Sequence, residues 1–429
     1  MSKDVPVGYK LTEVGVSPED WDLEPIAEAF EICNYLRFPI SQKVRETMAG
    51  DYPYYGSTNI QSYINEYRVE GEYALIGEDG DHFLKWRDIS MTLLVNGRFN
   101  VNNHAHLIKG AKNLTIWFYY FFAQKDLTLY LTRQGAGRYK LTKKALASIP
   151  CILPPLPEQE AIACVLSDTD ALITSLNKLI AKKRDIKQAA MQQLLTGKQR
   201  LEGFGDSSGK FKQTEVGMIP DDWDIITLRD VIDYTKGFAF QSKDYQIDGV
   251  RIIRVSDTNS ESIGDENPIC IDTHKALSYG KWSLKEYDLV FSTVGSKPPM
   301  YSSMVGKVIM INKTYEGSLL NQNAVLVRSK DRSIFKQIIF LNNCKSKRYL
   351  RHIETIFRGN ANQASLTLHD LFQFQIALPS DQEEQQAIAK VLSDMDSEIS
   401  ALEQRREKTK ALKQAMMQEL LTGKTRLKS

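Results

Sequence analysis

The chain has 429 residues, 42% hydrophobic and 25% charged, with a formal net charge of +2, the proportions of an ordinary folded protein with room for two to four cores. Near-neutrality argues against a protein that coats nucleic acid indiscriminately, and leaves open a reader with local basic patches. The five cysteines, Cys33, Cys151, Cys164, Cys270 and Cys344, form no CxxC pair, the opening MSKDVPVGYK has no apolar secretory segment, and no run of 18 apolar residues occurs; reduced thiols in a cytoplasmic protein are expected, without disulfides, a zinc site or a membrane span.

In chain order, the first signal is Tyr9 to Asp22, YKLTEVGVSPEDWD, because it returns as Phe211 to Asp224, FKQTEVGMIPDDWD, at an offset of 202 residues. Strand-like runs follow at Tyr73 to Ile76, Met91 to Val95 and His104 to Ile108, separated by the turn signals Gly77-Glu78-Asp79-Gly80 and Asn96-Gly97. A helix is expected from Leu114 to Phe122. Residues 1–153 therefore read as a first mixed domain, or head.

Residues 154–200 read as one long helix. Apolar residues at Ile162, Val165, Leu166, Thr169, Ile173, Leu176, Ile180, Ile186, Ala190 and Leu194 recur every three or four positions, the seam of an amphipathic helix. Pro157 and Glu158 suit its first turn, and Gly197 after Leu-Leu-Thr suits its end. The stretch from Glu158 to Leu201 comes back as Glu384 to Leu427, at an offset of 226, with about 25 of 44 positions identical. The second seam runs through Ile388, Leu392, Met395, Ile399, Leu402, Thr409, Leu412, Met416 and Leu420, with a polar fault near Arg405 and Arg406, and Gly423 closes it. A helix of roughly 38 residues is about 57 Å long. That is too long for one head to cover, so the two copies are expected to pair as an antiparallel coiled coil about a pseudo-twofold axis.

Between them, residues 201–378 read as a second head on the first one's plan, followed by the second helix in 379–429. Its runs are Val250 to Val255, Asp288 to Phe291, Lys307 to Ile311 and Ala324 to Val327, with a helix from Ser333 to Leu341. GEYALIGEDG, ending at Gly80, aligns with EYDLVFSTVG, ending at Gly295, and VNNHAHLI with LNQNAVLV. The fold class is α+β: two mixed α/β domains of one fold joined by two long helices.

Catalytic signatures are missing. Gly423-Lys424-Thr425 resembles the end of a phosphate loop, but position 418 is Gln; Gly203-Phe204-Gly205 is a lone GxG; HExxH, GxSxG and the Asn/Asp-Pro-Pro-aromatic motif of amino-methyltransferases are absent, and Lys297-Pro298-Pro299-Met300 does not replace the last. Of the histidines His82, His104, His106, His274, His352 and His369, only His104 and His106 are close neighbours. On a strand they would share a face and could hold a metal with a third group; contact with another molecule or plain strand packing is the preferred reading, so no metal site or catalytic residue is assigned.

Polar loops remain. In the first head they carry Tyr55, Ser57, Asn59 and Gln61, then Asn102, Asn103 and His104, then Arg133 and Arg138. In the second they carry Gln241 and Lys243, Arg254, Ser256 and Asn259, Ser296 and Lys297, Asn321, Gln322 and Asn323, then Arg358, Asn360, Asn362 and Gln363. Amides can bond adenine bidentately, arginine can bond guanine, and hydroxyls suit either; the same residues also make ordinary turns. Lys347 lies in the strongest basic run, Lys345 to His352, suited to phosphate contact or to a solvated helix face.

The order head, long helix, head, long helix, with LPPLPEQEAIA, VLSDTD and QQLLTGKQRL repeated as LPSDQEEQQAIAKVLSDMD and QELLTGKTRL, resembles the specificity subunits of type I restriction-modification enzymes over essentially the whole chain. The second copy departs at Pro379-Ser380-Asp381, where the first has Pro154-Pro155-Leu156-Pro157. The resemblance implies a non-catalytic, tandem-repeat DNA-binding subunit of a restriction system, in which each target-recognition domain reads half of a split duplex site through the major groove. It implies no cofactor on this chain: S-adenosylmethionine would sit on two modification subunits that methylate adenine, and ATP and magnesium on partner restriction subunits. Asp168, Asp170, Lys187, Gln188 and Gln192, with Asp394, Asp396, Lys413, Gln414 and Gln418, recur in both helices and are expected to be exposed and to hold those two subunits. The rival classes are a coiled-coil adaptor whose heads bind protein, and a nuclease that reads its own site; the lack of a carboxylate or metal cluster weighs against the nuclease.

Overall fold

The computed structural model describes residues 5–134, 138–205, 209–259, 261–298, 300, 302–360 and 363–427, without the side chains of Gln134, Asn360 and Gln363. It forms two compact units, residues 1–177 with 404–429, and residues 178–403.

In the first unit the strands Phe30–Ile32, Ala105–Gly110, Tyr73–Gly77 and Thr92–Val95 lie side by side in that order, all antiparallel. Tyr73–Gly77 is buried at every position, as an inner strand apolar on both faces must be. Helix Thr115–Ala123 packs on the sheet, its Trp117, Phe118 and Phe122 sharing one core with Phe30, Ile76 and Ile108. A second sheet holds Ile60–Ile64, Ala49–Tyr55, Arg98–Val101 and Val69–Glu70, with the middle pair parallel. Asp22–Pro25 pairs with Pro150–Leu153, which brings the repeated Asp-Trp-Asp beside the start of the first long helix.

The second unit repeats this plan with other side chains. Its sheet order is Ile232–Lys236, Ala324–Ser329, Leu289–Ser292, Val308–Met310, covered by helix Ile334–Cys344. Val250–Ile253 and Leu319–Leu320 form the parallel pair, and Trp223–Thr227 pairs with Gln375–Pro379. Helix Lys347–Ile356 carries most of the basic run, with Lys347 and Arg351 exposed.

The long helices span Leu156–Leu194 and Gln382–Leu420. Where the second copy lacks the proline, Asp381 accepts a hydrogen bond from the Glu383 N–H at 2.8 Å and opens the helix instead. Within the first unit Lys413 Nζ donates to both oxygens of Asp170, at 2.6 and 2.7 Å, and Arg426 bonds Glu158. Within the second, Lys187 bonds Asp396, Lys183 pairs with Glu398, and Arg200 bonds Glu384. In each unit one segment's numbers rise as the other's fall, so the two segments run in opposite directions.

Two seam positions differ from expectation. Ile186 and Leu412, themselves 226 apart, are 44% and 58% exposed, while Lys187 is buried and Lys413 half-buried. The cause is spacing. Seven residues beyond Ile180 lies Lys187, so a seam that keeps the heptad period passes through the lysine and turns Ile186 outward; the lysine stems fill the seam while their ammonium groups meet Asp396 and Asp170.

Each helix end is clasped onto a head. Arg426 donates to both oxygens of Glu158, each at 2.7 Å, and to both oxygens of Asp20, each at 2.8 Å; its guanidinium lies 5.5 Å from the Trp21 ring centre, and Trp21 Nε1 donates to Glu158 at 3.0 Å. In the other unit Arg200 does the same with Glu384, Asp222 and Trp223, with a ring distance of 5.6 Å. The carboxylates are almost fully buried, at 5% and 0% exposure for Glu158 and Glu384, a placement tolerable only with the charge paired and its lone pairs satisfied. Burial works to raise the Glu158 pKa, but hydrogen bonds from Arg426 and Trp21 outweigh it and hold the carboxyl below its ordinary range. Gly423, at φ +70°, has room for no Cβ: one would come within 2.5 Å of the Pro18 ring, and at Gly197, φ +66°, within 2.4 Å of Pro220.

Candidate nucleic-acid interface

In the first head the expected loops do converge. Asn102 is buried; its amide donates to Gln61 Oε1 at 3.2 Å and its carbonyl oxygen accepts from the His104 backbone at 2.7 Å. With Ser41, Gln42, Arg45 and the exposed Asn103, these residues line an open, polar hollow of about 430 Å³. His104 Nδ1 meets Asp79 at 2.8 Å, and Asp79 bridges to Lys140 on the hairpin Thr132–Gln134/Arg138–Lys140. On that hairpin Arg133 lies 5.0 Å from the Tyr139 ring centre and bonds its hydroxyl at 2.7 Å, and Arg138 is exposed. Ser57 is half-buried and Asn59 exposed at the neighbouring turn. Tyr55 packs edge-on against Phe99 at 5.9 Å, so it is a core ring and not a free platform for a base.

The histidine pair divides. His106 is fully buried, its Nδ1 accepting from Arg37 at 2.7 Å and Asn34 at 2.9 Å while Nε2 donates to the Leu141 carbonyl at 2.8 Å. Burial pushes its pKa down to about 4, so it is a neutral ring with both nitrogens engaged. Among the described residues no group of His, Cys, Asp and Glu is placed to hold a metal ion.

In the second head many of the expected readers are engaged internally. Arg254 grips Asp257, Nη2 to Oδ1 at 2.6 Å; Asn259 Oδ1 accepts from the backbones of Glu261 and Ser262; Ser296 and Ser303 share a hydroxyl contact at 2.8 Å. Asn321 is buried and caps Gln322, and Asn323 sits at φ +68°, a left-handed turn that asparagine tolerates. The side chains of Arg254, Asn259, Ser296 and Asn321 are engaged within the head, and Asn259, Asn321 and Asn323 shape turns. Gln241, Lys243, Ser256, Lys297, Gln322, Lys347 and Arg358 are exposed, Arg358 reaching Asp370 at 3.1 Å. Val294–Gly295, Gln363–Ser365 and Arg358–Asn360 form one small sheet, which brings together two of the expected loops, the one with Ser296 and Lys297 and the one from Arg358 to Gln363. Asn362 lies outside the described residues, as do the side chains of Asn360 and Gln363.

Beneath these different side chains the two loop frames share a set of backbone bonds. The Asn102 N–H donates to Tyr55 O at 3.0 Å as that of Asn321 does to Ile253 O at 2.9 Å; Glu78 donates to His104 O as Thr293 does to Asn323 O, both at 2.8 Å; Leu141 donates to Glu78 O as Leu366 does to Thr293 O. Glu78 in the first frame is ringed by Arg37 at 2.7 Å and Lys140 at 3.2 Å. Arg37, Gln42, Arg45 and Lys140 escaped the sequence reading because no motif marks them; only their chain distance from the recognised loops, closed by the fold, makes them neighbours.

On the helices, Asp168, Gln188, Gln192, Asp394, Gln414 and Gln418 are exposed as expected. Asp170, Lys187, Asp396 and Lys413 are not: they bond one another within the chain. In the second unit Gln188 and Gln192 of the first long helix, Leu195 and Lys198 just past its end, and Lys347 and Arg351 of helix Lys347–Ile356 border an open groove of about 910 Å³.

The family model for the type I restriction modification DNA specificity domain matches this chain at residues 18–187 and again at 220–413. The MjaVIII type I restriction enzyme specificity subunit of Methanocaldococcus jannaschii is 26% identical over 420 residues, 96% of this chain and 94% of that protein. The EcoBI specificity subunit of Escherichia coli is 22% identical over 369 residues, 81% of this chain and 71% of that one. The solved S subunit of a type I restriction-modification system from M. genitalium superposes with a TM-score of 0.58 at 12% identity, covering 93% of this chain and 96% of its own, a likeness of fold. No helix among the described residues is long and apolar enough to cross a membrane.

Proposed function

The chain belongs to the type I restriction-modification DNA specificity family, and from that premise we propose that it is the non-catalytic subunit that chooses the DNA sequence, each head reading one half of a bipartite site in the major groove. The long helices act as an antiparallel coiled-coil spacer with pseudo-twofold symmetry. Their exposed repeated residues, Asp168, Gln188 and Gln192 with Asp394, Gln414 and Gln418, hold two modification subunits that bring S-adenosylmethionine, and restriction subunits bring ATP and magnesium.

One observation carries the reading: two heads with a common loop frame present different polar side chains, while the helix ends that clasp them are the same residue for residue. A shared frame with divergent side chains is what two different half-sites require of one fold. An adaptor binding the same partner at both heads would have no use for the divergence. The test is sequencing of the host genome for methylated adenine with and without this gene. A two-part motif with a fixed gap that disappears with the gene is expected; unchanged methylation would refute the reading.

A further inference from the structure

Lys307 is buried in the second head, 7% exposed. Its Nζ donates to the carbonyl of Thr258, to that of Val255 at 3.4 Å and to that of Ser302 at 3.3 Å. Those carbonyls belong to two separate loops, one carrying Ser256 and Asn259, the other following Ser296 and Lys297. The lysine is itself firmly rooted. The Tyr349 hydroxyl donates to Gly306 O at 2.6 Å, and Gly306, at φ +79°, has no room for a Cβ, which would come within 2.6 Å of Ile353. Val308–Met310 then continues as a strand of the central sheet.

The first head shows what packing alone would put there. Ile76 aligns with Phe291, Ile76 faces Thr92 and Phe291 faces Val308, so the residue before each strand corresponds: Met91 in one head, Lys307 in the other. Met91 is buried in the apolar core. A lysine at such a place has to be satisfied, and among the described residues its partners are loop carbonyls. Burial pushes the Lys307 pKa down to about 8, which leaves the ammonium mostly charged near neutrality and able to donate to all three.

We propose that Lys307 is the positioning residue of the second head, its ammonium tying the 255–258 turn to the 302 segment so that the polar groups of both loops meet the second half-site in one arrangement. The proposal rests on the half-site reading above. Its test is methylation mapping over a plasmid library randomised at both halves of the site, with the chain coexpressed with the modification subunit of its own system, as wild type, Lys307→Met and Lys307→Arg. Methionine is the residue the first head accommodates, so the K307M head is expected to fold with an unchanged melting transition. Its discrimination in the second half should fall by roughly tenfold at one or more base pairs, the size of one lost bidentate contact, with the first half intact and K307R largely restored. K307M reading both halves like wild type would overturn the proposal. So would loss of the folded head, or equal loss in both halves, which would make Lys307 a residue of the core. A wild type without a two-part motif would instead defeat the half-site reading itself.

Discussion

Residues 226 apart on the helix segments and 202 apart on the heads build one clasp twice, whereas the loops of the two heads, hung on matching backbone bonds, present two unlike surfaces. In the clasps every side chain is determined by another: Arg426 needs Glu158, Glu158 needs Trp21, and Gly423 must lack a side chain because Pro18 lies against it. In the loop frames the part common to both heads is a set of backbone bonds, which leaves side chains free to differ: Asn102, Asn103 and His104 border a polar hollow, while Arg254, Asn259 and Asn323 at the other head make internal bonds and turns. What repeats in the clasps is side-chain complementarity, and what repeats in the loops is the main chain.

That contrast can be broken at graded cost. The largest effect is expected for Leu176→Asp: the residue is 4% exposed in the helix seam, and an unpaired buried charge there should cost about 4 kcal/mol or more, enough to unfold the pairing; chemical denaturation read by circular dichroism checks it. Next, Arg426→Ala strands the Glu158 carboxylate and should cost about 3–5 kcal/mol at neutral pH. Because the folded Glu158 pKa lies below its unfolded value, the stability it contributes in the wild type is present above the ordinary carboxylate range and is lost as pH falls through the depressed value. The R426A deficit should therefore shrink as pH drops toward 4, and a deficit constant with pH would show that the clasp does not act through charge.

A smaller effect is expected at the loops. Asn102→Ala removes the link between Gln61 and His104 and should relax one or two base pairs of a single half-site by about 1–3 kcal/mol, measured as competition between duplexes altered at one position. The smallest is Leu412→Asp. Its side chain is 58% exposed, so stability should change by about 0.5 kcal/mol or less; a loss comparable with that of L176D would put Leu412 back in the seam.

The architecture was largely legible in the sequence. The repeats, the strand at Tyr73–Gly77, the helix at Thr115–Ala123 and both long helices follow from periodicity, from turn residues and from the offset between copies; the strand and the short helix end within a residue of expectation, while the long helices stop at Leu194 and Leu420, before the ends of the segments 154–200 and 379–429. What stayed hidden has a common physical form. Ile186 reads as seam because it is apolar, yet the helical repeat assigns that place to Lys187, whose partner Asp396 is 209 residues away. Arg254 and Asn259 read as base contacts because they are polar, yet each is satisfied locally. Polar residues announce that a partner exists without saying whether it lies in the chain or outside it, and only the fold decides.

The central claim, that two heads read two half-sites independently, is tested most directly by methylation of a randomised plasmid library by the assembled complex carrying wild type, Gln61→Ala with Asn103→Ala, or Gln241→Ala with Lys243→Ala. The heads belong to separate compact units, and sites that share no partners behave additively. The expected result is a two-part motif in which the first double substitution blurs one part only and the second blurs the other. A single contiguous motif, or blurring spread over both parts by either substitution, would contradict the account.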